Sequence, residues 1–204
     1  MTSFKFLAAI ATVITLCLTL LVGCWTSTPE PKATRPTTWA QPVIPTNLGN
    51  FHKVSEELFR SEYPTKENIA ALRAVGIKTV INLRSGDKGD AAAFRKAGFT
   101  THWLPMKASN VSVENLVATL RHLQNSPKPA LIHCWHGSDR TGFIIAGYRI
   151  VNQGWSTEEA IREMRKGGFG FHEIYDNIID TLQTLDIEKI RCELNTIEKL
   201  DGKF

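Results

Sequence analysis

Within ten residues, His133 to Gly142, the chain reads HCWHGSDRTG: a thiol, two imidazoles, a carboxylate and a guanidinium close together. Such a set invites three chemistries: metal ligation, redox exchange, or attack by a thiolate on a bound anion. Metal ligation is disfavoured, because adjacent His133 and Cys134 chelate badly and no second cysteine pair lies nearby. No metal or cofactor is expected. The spacing instead suits an oxyanion. Cys134 and Arg140 form a Cys-x5-Arg arrangement, in which the loop can wrap a tetrahedral anion. Trp135, His136, Gly137, Ser138, Asp139 and Arg140 would bind it, the sulfur beneath the phosphorus and the guanidinium gripping two oxygens. The same positive surroundings favour thiolate over thiol. Thr141 is placed to donate its hydroxyl to the sulfur, and His133 to orient the loop through a backbone carbonyl.

The neighbouring elements must position these groups. Before the loop stands KPALI, an apolar run of strand type; after it, RTGFIIAGYRIV carries apolar residues at helical spacing. A buried strand, a short loop containing Gly137 and a helix opening near Arg140 make an anion-binding turn.

HCWHGSDRTG resembles the signature of the cysteine-dependent protein tyrosine and dual-specificity phosphatases, and in particular the small bacterial periplasmic dual-specificity group. LFRSEYPTKENIAALRAVGIKTVINLR is similar to that group's opening and AGYRIVNQGWSTEEAIREMRKGGFG to its helices after the loop, so the likeness spans about residues 39 to 195. It implies a phosphomonoesterase acting on phosphotyrosine, with phosphoserine or phosphothreonine as further substrates, through a phosphocysteine intermediate. An inositol-phosphate or other small-molecule phosphatase of the same mechanism fits the same loop. So does a weakly catalytic phosphate-binding module.

The resemblance also implies an aspartate, on a loop some thirty residues before the cysteine, that protonates the leaving group. The corresponding stretch here, WLPMKASNVSVENL, has no aspartate, and Ser109 stands about where it belongs. Serine cannot serve at neutral pH. Asp139, beside Arg140, is the first substitute, with the competing reading that it only braces the loop. Asp87 and Asp90 in SGDKGD are second candidates, against the reading of a solvated turn. Glu114 suits the first turn of a helix, where acids favour the dipole. Arg84 either adds positive charge near the pocket or pairs at the surface. GGFGFH reads as a turn between helices, since no strand precedes it to make a phosphate loop.

The chain has 204 residues and a formal charge of +4, too small and too scattered a surplus to argue for nucleic acid. Residues 1–23, with one cation (Lys5) and an apolar run, read as a lipoprotein-type signal peptide ending before Cys24, the expected lipidated residue. That would place the protein on the periplasmic side of a bacterial membrane, held by lipid; the competing reading of the same run is a plain transmembrane anchor, which also leaves the domain outside the cytoplasm. Residues 24–45 are Pro- and Thr-rich and read as a tether. Apart from Cys17 and Cys24, only Cys134 and Cys192 remain as thiols, too few for a disulfide framework.

Residues 46–204 then form one catalytic domain. NFHKV and ELFRS read as a short hairpin, IKTVINLR, FTTHWLP and PALIH as strands. Helices are expected from Thr65 to Val75, over 90–97, from Ser112 to about Asn125, after the loop, from Ser156, and from His172 to Leu194. Strands alternating with helices predict an α/β fold, a mostly parallel central sheet with helices on both faces.

Overall fold

The computed structural model describes residues 35–44, 46–86 and 88–201. The expected signal peptide, Cys24, the start of the tether and Asp87 lie outside the described residues.

Six strands form one sheet: β1 (Gln41–Pro42), β2 (His52–Lys53), β3 (Leu58–Ser61), β4 (Thr79–Asn82), β5 (Thr100–Trp103) and β6 (Ala130–His133). Their order is β1-β2-β3-β6-β4-β5. The β1-β2-β3 pairs are antiparallel; β3-β6, β6-β4 and β4-β5 are parallel. All four residues of β3, β4 and β6 are buried, as central strands covered on both faces must be.

Alternation along those strands sorts the core into two layers. Leu58, Ile81, Ala130 and Ile132 face one apolar cluster, while Phe59, Val80 and Leu131 face the other. The second cluster is closed by Leu72 of α1 (Ile69–Ala74) and Phe94 of α2 (Ala91–Lys96). The first is closed by α3 (Val113–Gln124), α4 (Asp139–Val151), α5 (Thr157–Lys166), α6 (Asp176–Gln183) and α7 (Ile187–Asp201). Buried α4 is the central helix of that layer, with Phe143 and Ile144 wholly enclosed. Ser112 caps α3 by accepting from the Asn115 amide (3.3 Å), and Ser156 caps α5 by accepting from that of Glu159 (3.2 Å). The α/β architecture expected from the sequence is the one observed.

Two segments differ from expectation. Residues 35–43, read as tether, are packed on the domain. Trp39 Nε1 donates to Glu159 (2.8 Å), the Ala40 amide donates to buried Glu163 (2.6 Å), and Gln41–Pro42 pairs with β2. Glu163 is itself gripped by two nitrogens of Arg149, each at 2.8 Å, so the arm shares the acceptor of a buried ion pair. The helix expected over 172–194 is two helices. It starts only at Asp176, and the His172 amide ahead of it donates to Asp139 (2.9 Å). It breaks before Ile187, where the Asp186 carboxylate caps α7 by accepting from the Lys189 amide (3.0 Å).

Candidate active site

β6 delivers His133 and Cys134 to the carboxyl edge of the sheet, where ligands bind in open α/β folds. His133 is buried, and desolvation chiefly, with help from the Arg84 and Arg140 charges, lowers its pKa to about 4. The imidazole is therefore neutral at pH 7. Its Nδ1 lies 3.0 Å from the Cys134 carbonyl, which can only accept, so the proton sits on Nδ1.

The loop after Cys134 is held from outside by its carbonyls. The Tyr63 amide donates to Trp135 O (2.9 Å), Asn50 Nδ2 to His136 O (2.9 Å) and Arg60 Nη2 to Gly137 O (2.6 Å). In a trans peptide the C=O and the following N–H point opposite ways. Three carbonyls turned outward therefore turn the amides of His136, Gly137 and Ser138 toward the inside of the curve, a concavity that suits an anion. Gly137 has φ +72, and a side chain there would strike the Ser61 carbonyl, so only glycine lets the loop close on β3. Cys134, 2% exposed, lies at the base of this curve. Arg140, in the first turn of α4, is loosely held, with Nη1 at 3.5 Å from Met106 O.

Arg60 was not singled out from the sequence, yet it is the foundation of the loop. It is fully buried and its guanidinium lies 3.6 Å from the centre of the Phe169 ring. Burial lowers its pKa to about 10, opposed by the nearby Glu163 and Cys134, so it keeps its charge at neutral pH. The only signal was a cation directly after the apolar pair Leu58-Phe59.

GGFGFH, read as a turn between helices, also closes on the loop. Phe169 O accepts from Ser138 Oγ (2.8 Å) and from Asn50 Nδ2 (2.9 Å). Both oxygens of the Asp139 carboxylate lie against His172 Nδ1 (3.1 and 3.0 Å), and one also accepts the His172 amide. Asp139 is thus turned onto His172, a residue that sequence reasoning passed over.

The remaining candidates divide. Trp135 is half exposed and forms a rim with Tyr63; the Arg84 guanidinium lies 4.3 and 4.2 Å from their respective ring centres. Arg84 therefore stands beside the loop. His136 is exposed at the same mouth. Thr141 does not make the expected bond to sulfur: its hydroxyl is buried without a hydrogen-bond partner. Asp90 accepts from the Lys66 amide (2.8 Å) and donates its own amide to the Tyr63 hydroxyl (3.1 Å), so it fastens two segments together. Ser109 is exposed, on a loop pinned by Asn177 Nδ2 to Ala108 O (2.9 Å). Glu114 lies in the first turn of α3, its pKa lowered by a hydrogen bond from Ser112. A cavity of about 290 Å³ lined by Tyr63, Lys88, Asp90, Arg95, Trp103 and His133, among others, flanks the loop without including Cys134.

A family described as "Polymorphic toxin system, DSP-PTPase phosphatase" matches residues 55–154. Over 177 residues the chain is 34% identical to the dual specificity protein phosphatase TpbA of Pseudomonas aeruginosa, covering 86% of this chain and 79% of that protein. The chain belongs to the dual-specificity phosphatase family. The crystal structure of TpbA matches with a TM-score of 0.70 at 34% identity, across 79% of this chain and 99% of that one. A Cys-to-Ser variant of TpbA has been crystallised with phosphotyrosine. The catalytic core of the PP-IP phosphatase SIW14 from S. cerevisiae is 26% identical, with a TM-score of 0.62, across 76% of this chain and 96% of that one. This member of the dual-specificity phosphatases has the cysteine-based phosphatase fold, and it carries its phosphate loop without a carboxylate on the 103–112 segment.

Proposed function

We propose that this phosphatase hydrolyses phosphotyrosine through Cys134, with Arg140 and the loop amides holding the phosphoryl group. The observation that carries the reading is the loop itself, with Trp135, His136 and Gly137 carbonyls tied outward around a buried thiol. In the first step the S–P bond forms as the ester O–P bond breaks, and the departing oxygen takes a proton. In the second, water attacks the phosphocysteine, gives up a proton, and releases phosphate and thiolate. Charge on the equatorial oxygens meets preorganised donors, so positioning and electrostatics carry most of the rate. TpbA, crystallised with phosphotyrosine, supports an aromatic ester as substrate. The indole and phenol of Trp135 and Tyr63 at the mouth offer it a flat apolar wall.

A second reading is hydrolysis of a diphosphate on an inositol ring. It is favoured by the likeness to the PP-IP phosphatase, and by the carboxylate-free 103–112 segment, since a phosphate leaving group needs little protonation. Acid-quenching a labelled phosphotyrosyl peptide during turnover tests the leading reading. Label on Cys134 supports it; binding with neither label nor turnover would make the domain a phosphate-binding module.

Residues 1–24 support an extracytoplasmic, lipid-anchored placement, with residues 25–34 as the linker that remains once Arg35 has docked. Fatty-acid labelling that persists in Cys24→Ala would sink that placement.

A further inference from the structure

We propose that His172 is the proton donor to the leaving group and the acceptor from water, with Asp139 orienting it. The inference rests on the phosphatase reading above and names a catalytic residue for it. The chemistry requires a proton carrier at the mouth of the loop, because an ester oxygen leaves poorly as an anion. The segment that resemblance assigns to this task, 103–112, holds no carboxylate. Asp90 is bonded to the Lys66 amide, and Glu114 is bonded to Ser112 at the start of α3. Asp139 lies in the loop, but its carboxylate is taken by three contacts from one residue, His172.

That arrangement has the form of an acid–base pair. A carboxylate against Nδ1 fixes the tautomer and ring orientation, leaving Nε2 as the exchanging position on the ring's other edge. The His172 side chain is about half exposed, with relative accessibility of 53% against 12% for Asp139. Its ring centre lies 6.2 Å from that of His136, two residues after the nucleophile. His172 therefore stands against the loop at both His136 and Asp139. Other groups packed near it are Tyr175, ring centre at 6.3 Å, and Glu173, paired with Arg165 (2.7 Å). Of these only His172 presents a carboxylate-backed imidazole.

As the ester O–P bond breaks, the Nε2 proton passes to the departing oxygen and the ring becomes neutral. When water attacks the phosphocysteine, the same nitrogen takes its proton and the imidazolium is restored. No further reactant is needed.

The test compares kcat/KM for phenyl phosphate with that for 4-nitrophenyl phosphate, whose phenolate departs without help. His172→Ala and His172→Gln should each lose about 10²-fold or more on phenyl phosphate and less than about tenfold on the nitrophenyl ester. Added imidazole should restore part of the phenyl phosphate activity of His172→Ala. Melting temperatures verify that each variant is folded, and the two replacements guard against loss of one. Equal losses on both esters, or unchanged activity on both, would overturn the assignment. The wild type serves as the separate control: absence of turnover and of a labelled Cys134 would sink the phosphatase reading itself, whatever His172 does.

Discussion

Arg60 and Gly137, 77 residues apart in the chain, meet at 2.6 Å inside the protein, guanidinium to carbonyl. A charge buried beneath the phosphate loop has no water to fall back on, so the carbonyl and the Phe169 ring face are what hold it. Arg60→Met keeps the volume but leaves Gly137 O without its donor. The expected cost is about 1–3 kcal/mol in stability, with a larger proportional loss in kcat/KM because the loop's inward amides lose their setting. Chemical denaturation and steady-state kinetics on one preparation separate the two effects. Wild-type kinetics in a folded Arg60→Met protein would show that the loop holds its shape without it.

Cys134→Ser should abolish turnover of aryl phosphates while phosphate or vanadate still binds, since the cradle is built from backbone and Arg140 rather than from sulfur. Calorimetric titration of the variant reads binding directly. Arg140→Lys should lose most activity, because an ammonium cannot reproduce the bidentate fork. An unchanged kcat/KM in that variant would remove Arg140 from the site.

Acid should destabilise the fold through His133. Its folded pKa of about 4 lies below the ordinary 6.5, so between those values the unfolded chain binds the proton more readily. Stability from this residue is present in full above about pH 6.5 and is lost as pH falls toward 4, by on the order of 3 kcal/mol. His52, also lowered to about 4 chiefly by burial, acts in the same direction but less strongly, being partly solvated. Unfolding free energies measured from pH 7 to 4.5 should fall, and His133→Asn should flatten the slope. A profile identical in that variant would mean that His133 does not govern it.

Ser109→Asp should raise activity on alkyl phosphates more than on aryl ones, because alkoxides depend most on protonation. The loop that carries it is tied to α6 through Asn177 and Ala108 and touches Arg140 through Met106, so a carboxylate there has a fixed base from which to reach the mouth. Equal gains on both ester classes would indicate an effect on binding rather than proton transfer.

The catalytic loop was legible in the sequence because its neighbours are local. A continuous apolar run before Cys134 and helical spacing after Arg140 declare the strand and helix, and glycine at 137 declares the turn between them. The supports were illegible for the opposite reason. His172 lies 33 residues from Asp139, and nothing in either segment names the other. Likewise ELFRS reads as one arm of a short hairpin, when its strand is central and its cation is enclosed. Trp39 was lost in a Pro- and Thr-rich stretch whose composition outweighed one aromatic. The break at Asp186 escaped because Ile178, Leu182, Ile190 and Leu194 all face the core, carrying an apolar stripe across two helices.

Arg35 donates to the Gly167 carbonyl at 2.7 Å, and its guanidinium lies 5.0 Å from the centre of the Phe169 ring, whose other close cation is Arg60. The arm that enters the domain is thereby fastened to the turn that buttresses the phosphate loop. Traction on the chain ahead of Arg35 would act on that turn early, and through Phe169 on Ser138 and Asn50. The arm and the reacting end of the domain are thus joined by a short mechanical linkage that runs through Arg35 and Phe169.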